Sequence, residues 1–307
     1  MTQQDGEWSQ VSRKRGRMRH VPKPKTDVDE TKENGLGIRP NPNPEFTVSD
    51  IQKHHDTATQ EWQISDCWNT LKDLLATALS EANHPPITKA ICFGPGPYDP
   101  SNGSFAARRT AHMQTVAFCA IVDFLESQCE NKIKRVIQEP MFTHIDKDFC
   151  VELGFEVVDT PDAFPMVDEQ TLVYGIHMEL RTYYLALATL PTVFIGGGLG
   201  EWERVIDFEP SLKEFVGPIA EMDATYTKYP FPDMNYIFSS TTMYWRKQND
   251  VLESTSKPEA SLPADTETSK ETSDIAQALE GLKLSEQGSA EKTSEPDSDK
   301  SPEKAVS

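Results

Sequence analysis

Between residues 60 and 247 the sequence alternates short apolar runs with longer stretches of helical period, and few folds accommodate that alternation. The runs lie at 89–93, 135–138, 155–158, 171–174 and 192–195, each rich in β-branched, aromatic or aliphatic side chains. Short runs of this composition read as strands. Helical spacing fills the intervals. In 104–128, Met113, Val116, Ala120 and Phe124 recur on one face, with Ala117, Ile121 and Leu125 beside them. Shorter helices are expected at 146–153 and 179–188. Ahead of the first strand, Ser65 is placed to cap a helix whose Trp68, Leu71, Leu75, Ala78 and Leu79 share a face, with Pro85 and Pro86 beyond its end. A last strand at 236–244 is expected to close the sheet. Strand, helix, strand in succession gives a three-layer α/β domain, Rossmann-like, with a mainly parallel sheet.

The flanks differ in composition. Residues 1–58 carry RKRGRMR, PKPKTD and NPNPEF with few aliphatics, and residues 249–307 are dominated by Ser, Thr, Glu, Lys and Pro. Neither buries enough apolar surface to offset the entropy of ordering, so both read as disordered tails around a domain at 59–248. They also explain a mean hydropathy of -0.55 in a chain with a dense centre. A net charge of -19 argues against broad nucleic-acid binding and against anionic membranes. No stretch approaches the roughly 18 uninterrupted apolar residues a membrane span needs. The five cysteines, with no C-x-x-C pair, suggest neither a disulfide framework nor a zinc knuckle. A reducing compartment, cytoplasm or nucleus, fits best.

The first strand runs into ICFGPGPYDPSNGSF, residues 91–105. Gly94 and Gly96 stand where a dinucleotide fold turns its backbone toward a pyrophosphate. The local chemistry disfavours phosphate, because Pro95 and Pro97 have no N–H, a third glycine is missing and Asp99 would repel an anion. A structural turn and an adenosyl-type ligand loop both stay open. Glu139 ends the second strand, where a carboxylate can accept from ribose hydroxyls, though it lies about 45 residues after the glycines rather than about 20; it can equally cap the turn at Pro140. Gln114, on the helix after the glycines, either serves buried backbone groups or reaches a ligand.

His177 ends the fourth strand and Glu179 follows two residues on, so an imidazole and a carboxylate could face one crevice as acid and base, or bind a metal or heme iron. One His with one Glu is a weak metal signal, and packing accounts for a lone His as well. A second strand–glycine–helix junction, FIGGGLGEWERV at 194–205, includes Gly196 and Gly198, again without G-x-G-x-x-G spacing. It has no prolines, so its amides are expected to be free and it is the better place for an anion; close backbone packing explains the glycines too. No Ser-His-Asp ordering, H-E-x-x-H or Walker-type loop is present. No cofactor is assigned by these residues.

CFGPG, HMQTVAF, IQEPMF, ELGFEVV and YGIHMEL, taken in order, resemble the SRR-like domain, a family named for the plant "sensitivity to red light reduced" proteins. Trp8, Val11 and RKRGR resemble a segment that often precedes that domain. Two departures stand out: Glu139-Pro140 replaces an Asp-Pro pair, and Ile176-His177-Met178 replaces Pro-His-Cys. The resemblance implies a regulatory or interaction protein, more plausibly not an enzyme, with protein partners and roles in light and circadian signalling, microtubule-related processes or heme metabolism. The other reading is an enzyme or sensor holding a nucleotide-like molecule, adenosylmethionine or heme in its crevice. Residues 13–19 resemble a nuclear-import signal and Ile275, Leu279, Leu282 and Leu284 a leucine-rich export signal, which implies a chain that shuttles between nucleus and cytoplasm.

Overall fold

The computed structural model describes residues 39–81, 85–129 and 131–247. The basic and leucine-rich segments and the expected tail at 249–307 lie outside the described residues. Five parallel strands form most of a seven-stranded sheet: β1 (Lys89–Phe93), β2 (Lys134–Gln138), β3 (Glu156–Val157), β4 (Thr171–Gly175) and β5 (Val193–Gly197). A hairpin of β6 (Thr227–Pro230) and β7 (Thr241–Trp245) completes it, β7 pairing antiparallel with β5. The order is β3-β2-β1-β4-β5-β7-β6. The chain moves outward from β1 through β2 to β3, then returns to the other side of β1 with β4. The topological switch point therefore lies between the carboxyl ends of β1 and β4, where open α/β sheets hold ligands.

Side chains alternate across the sheet as period two requires. Ala90, Cys92, Ile137, Leu172, Tyr174 and Ile195 enter one core, under α1 (Val48–Gln63), α2 (Asp66–Glu81), α3 (Phe105–Cys129) and α4 (His144–Glu152). Ile91, Phe93, Val136, Val173, Phe194 and Tyr244 enter the other, under α5 (Leu180–Ala186), α6 (Leu199–Phe208) and α7 (Gly217–Thr225). The three expected layers are present. β1 has its expected bounds, α3 is displaced by one residue, and Ser65 Oγ accepts from Trp68 N at 3.0 Å at the start of α2.

Two expectations are corrected, and one element is added. The boundary at 58 falls inside α1, which buries Ile51, His55, Ala58 and Trp62, so residues 48–58 are helical rather than disordered. Thr47 starts that helix with a capping box: Thr47 Oγ1 accepts from Asp50 N at 3.3 Å and Asp50 Oδ2 accepts from Thr47 N at 3.1 Å. The final strand begins at Thr241 rather than 236, because Asn235, Tyr236 and Ser240 have left-handed backbone, with φ of 54°, 66° and 58°, which breaks an extended run. β6 was not anticipated.

Candidate functional site

The loop leaving β1 needs its glycines for backbone geometry, with φ of 63° at Gly94 and 88° at Gly96. Its donors are already engaged. Gly94 N donates to Gln138 O at 3.0 Å, Gly96 N to Glu139 Oε2 at 2.9 Å and Tyr98 N to Asp146 Oδ1 at 3.2 Å, while Pro95 and Pro97 have none to offer. The second oxygen of Glu139 accepts from Met141 N at 2.7 Å, so this carboxylate holds two loops together. Burial pushes the Glu139 carboxyl above its ordinary value, opposed by these backbone bonds and by the charge of Arg39. Asp146 is raised for the same first reason. It completes a capping box with Thr143 at the start of α4 while reaching across to Tyr98.

Beside this loop, Asp99 is buried against Arg108 at 2.9 Å, with its other oxygen unpartnered. Gln114 is buried on α3, one turn beyond Ala111, whose Cβ would lie 3.8 Å from a Cβ built on Gly96. Cys92 points into the α3 core, and burial raises its thiol well above the ordinary value, which keeps it un-ionised and a poor nucleophile.

The far side of the switch point is formed by the turn after β4. Met178 folds back over it: a Cβ on Gly175 would lie 2.9 Å from Met178 Sδ, and one on Gly94 3.5 Å from Met178 Cγ. This thioether occupies the gap between the two loops. His177 is exposed, with φ of 56°, and its Nε2 lies 2.9 Å from Ser239 O in the loop before β7. Glu179 is exposed at the start of α5 and makes no side-chain cap. Thus His177 is tied to the β7 side and Glu139 to the glycine loop on the β2 side. Among the described residues no group of three or more His, Cys, Asp or Glu could hold a metal ion.

The second glycine junction differs from expectation. Gly196 and Gly197 belong to β5 itself, and two of the amides expected to be free are engaged, Gly197 N with Tyr183 Oη at 3.0 Å and Leu199 N with Tyr244 Oη at 3.1 Å. Tyr183 Oη donates in turn to Gly175 O at 2.7 Å, joining the ends of β4 and β5. Glu201, in the first turn of α6, adds negative charge where an anion would sit. Met178 stood out in the sequence only as a departure from the family pattern, and Asp146, Tyr183 and Tyr244 were not singled out as site residues. Only Asp146 had a legible signal there, the Thr143-x-x-Asp146 pattern.

These features define an α/β domain whose switch-point loops are held by the protein's own carboxylates. The SRR1 domain family matches residues 54–283, and the chain belongs to that family. The match begins inside α1 and runs past the boundary expected at 248. No curated protein matches the chain. Among solved structures, a putative class I S-adenosylmethionine-dependent methyltransferase from Listeria monocytogenes is similar at a TM-score of 0.31 and 10% identity, over 76% of this chain and 79% of that one. A likeness of that size carries no argument about chemistry. No described helix is long and apolar enough to cross a membrane.

Proposed function

We propose that the chain is a regulatory interaction protein whose SRR1 domain presents the rim above its strand ends to a protein partner, rather than an enzyme that uses a nucleotide. The observation that carries this reading is the closed state of the switch point. Every N–H from Gly94 to Tyr98 has an acceptor inside the protein, and Met178 fills the gap between Gly94 and Gly175. A pyrophosphate or adenosyl group would have to displace Glu139 from two backbone donors before it found any. The rim offers an exposed aromatic side chain on a tied backbone: Tyr236 is 84% exposed, and the Asp233 carboxylate accepts from Tyr236 N at 3.0 Å and Phe238 N at 2.9 Å. An exposed tyrosine is a common anchor in protein interfaces. The shuttling suggested by the two terminal segments belongs to the same reading.

A second reading, a small-molecule sensor, is favoured by one observation. His177, Asn235, Tyr236 and Ser240 all hold left-handed backbone around one edge of the crevice, and such strain gathers at functional sites. Thermal unfolding with ATP, NAD, adenosylmethionine and hemin separates the two. The interaction reading expects no rise in melting temperature for the wild type or for Met178→Ala, which removes the thioether from the gap. A concentration-dependent rise that Glu139→Ala or His177→Ala abolishes would replace it with the sensor reading.

A further inference from the structure

The seam between α1 and α3 is built around histidines. His55 of α1 and His112 of α3 are 6% and 1% exposed, and their ring centroids stand 5.9 Å apart. His54, next along α1, lies 6.0 Å from His112. The remaining walls are aromatic: Phe149 of α4 meets His55 at 5.2 Å and His112 at 6.2 Å, and Tyr98 meets His112 at 4.8 Å. Neither ring nitrogen of His112 has a hydrogen-bond partner, and Nδ1 of His55 has none. A neutral imidazole at His112 forgoes one N–H bond, whereas an imidazolium would forgo two and be a buried charge facing another histidine.

The charged groups around the pair offer little compensation. On α3, Arg108 is itself cationic and Arg109 pairs with Glu61 of α1. In the loop after β1, Asp99 is matched by Arg108 at 2.9 Å, and Tyr98 presents its ring. On α4, Asp146 and Cys150 are both engaged with Tyr98. On α1, the exposed Asp56 favours a charge on His55, and burial outweighs it. Burial holds both rings neutral, lowering His55 from 6.5 to about 4 and His112 to about 3, the latter helped by His55, His54 and Arg108. The position of α1 decides what yields. It precedes every strand, packs on α3 and α4, and meets α2 at a break where Ile64 is exposed, so it can leave without parting the sheet.

We propose that α1 is a proton-sensitive latch: protonation of His55 and His112 in mildly acid conditions releases α1 from α3 and α4 and uncovers the surface beneath it before the sheet unfolds. In the released state both rings meet water and take up protons near their ordinary 6.5, while in the closed state they do so only near 4 and 3. Closure is thus fully favoured above about pH 6.5 and weakens as pH falls. Each ring lowers the closed-to-open ratio about 20-fold between pH 7 and pH 5, and the two together several hundredfold. Carboxylates do not produce this effect. Burial raises Asp146, so acid favours its buried form; Asp50, in the first turn of α1, is lowered to about 2 and loses its contribution only below about pH 4.

Hydrogen exchange of the full chain at pH 7 and pH 5, read as protection factors so that the intrinsic pH dependence divides out, tests the latch. Protection of the α1 amides is expected to fall about a hundredfold or more, and at pH 5 to stand at least about tenfold below that of β1 and β4. His112→Phe, which keeps the aromatic packing, should remove about 20-fold of the fall, and His55→Phe with His112→Phe should leave less than about threefold. His55→Leu with His112→Leu serves the same purpose should the phenylalanine pair fail to fold. His144→Gln, at an exposed position on α4, should leave the fall unchanged. No fall in the wild type, or a fall that persists when both histidines are replaced, overturns the proposal. Equal protection of α1 and the strands at pH 5 overturns it too, since the histidines would then weaken the whole domain at once rather than free one helix.

Discussion

The two glycine-bearing junctions look alike in sequence, yet the fold uses their glycines for opposite reasons. After β1, Gly94 and Gly96 adopt left-handed backbone in space that a methyl group could enter, since a Cβ on Gly96 would meet nothing nearer than 3.8 Å. After β5 none of the glycines has positive φ, and at Gly196 a Cβ would lie 2.5 Å from Phe194 Cζ and 2.8 Å from the backbone oxygen of Gly175. The first junction needs conformational freedom and the second needs absence of bulk. Their anchors differ as well, carboxylates at the first and tyrosine hydroxyls at the second. Glycine spacing alone therefore cannot identify a ligand loop; the acceptors opposite the amides decide.

The largest effect expected from this contrast is at Gly196. Gly196→Ala forces a methyl group against a backbone oxygen that cannot rotate away, and overpacking of this kind costs about 3 kcal/mol. For a domain of this size that is roughly a 10 °C fall in melting temperature. Gly96→Ala meets no obstacle and suffers only backbone strain, about 1–2 kcal/mol. Thermal unfolding of the two variants side by side measures the difference. Equal losses, or a larger loss at Gly96, would break the distinction between steric and conformational glycines.

The anchors give the next test. Because burial raises the Glu139 carboxyl, the folded chain keeps a proton over a pH range in which the unfolded chain has lost it. Stability linked to this group is thus full below the unfolded value and declines as pH rises through the folded one. Glu139→Gln cannot titrate and leaves one of the two N–H groups with a poorer acceptor, a cost of about 1–2 kcal/mol near neutrality. The wild type's advantage over this variant should be greatest near pH 4 and narrow toward pH 7. An advantage that instead grows with pH would mean that the two backbone donors outweigh burial and hold the carboxylate ionised.

How legible each region was follows from where its information resides. β1 and α3 were readable because a short apolar run and a long apolar stripe are local patterns. α1 was hidden by composition: its stripe consists of Ile51, His55, Ala58 and Trp62, and a histidine reads as polar although here it is buried. The Thr47-x-x-Asp50 box was the available signal. β6, Thr-Lys-Tyr-Pro, is an edge strand with exposed alternate residues and a terminal proline, which is how sheets protect an edge and also why it lacks a strand signature. In the site, Glu139 and the glycine turn were locatable from strand ends. Met178 was not, because its position over Gly94 and Gly175 depends on side-chain direction after the β4 turn, which no local pattern encodes.

The smallest expected effect, at Gly200, sharpens the comparison within the second junction. The space around its glycines opens only at the last of them: a Cβ would be blocked by backbone at Gly196, would lie 3.0 Å from Trp202 Nε1 at Gly197 and 2.7 Å from Thr242 Oγ1 at Gly198, and would meet nothing within 4 Å at Gly200. Gly200 lies in the first turn of α6 without positive φ, so alanine fits its backbone and restricts the unfolded chain more than glycine does. Gly200→Ala should therefore stabilise the domain by about 0.5 kcal/mol, raising the melting temperature by roughly 1–2 °C. A loss of stability there would mean that close approach extends into the helix and that the Gly196 effect is not a matter of local contacts. A gain, set against the loss at Gly196 four residues earlier, ties each glycine to its own neighbours rather than to a shared role in holding a ligand.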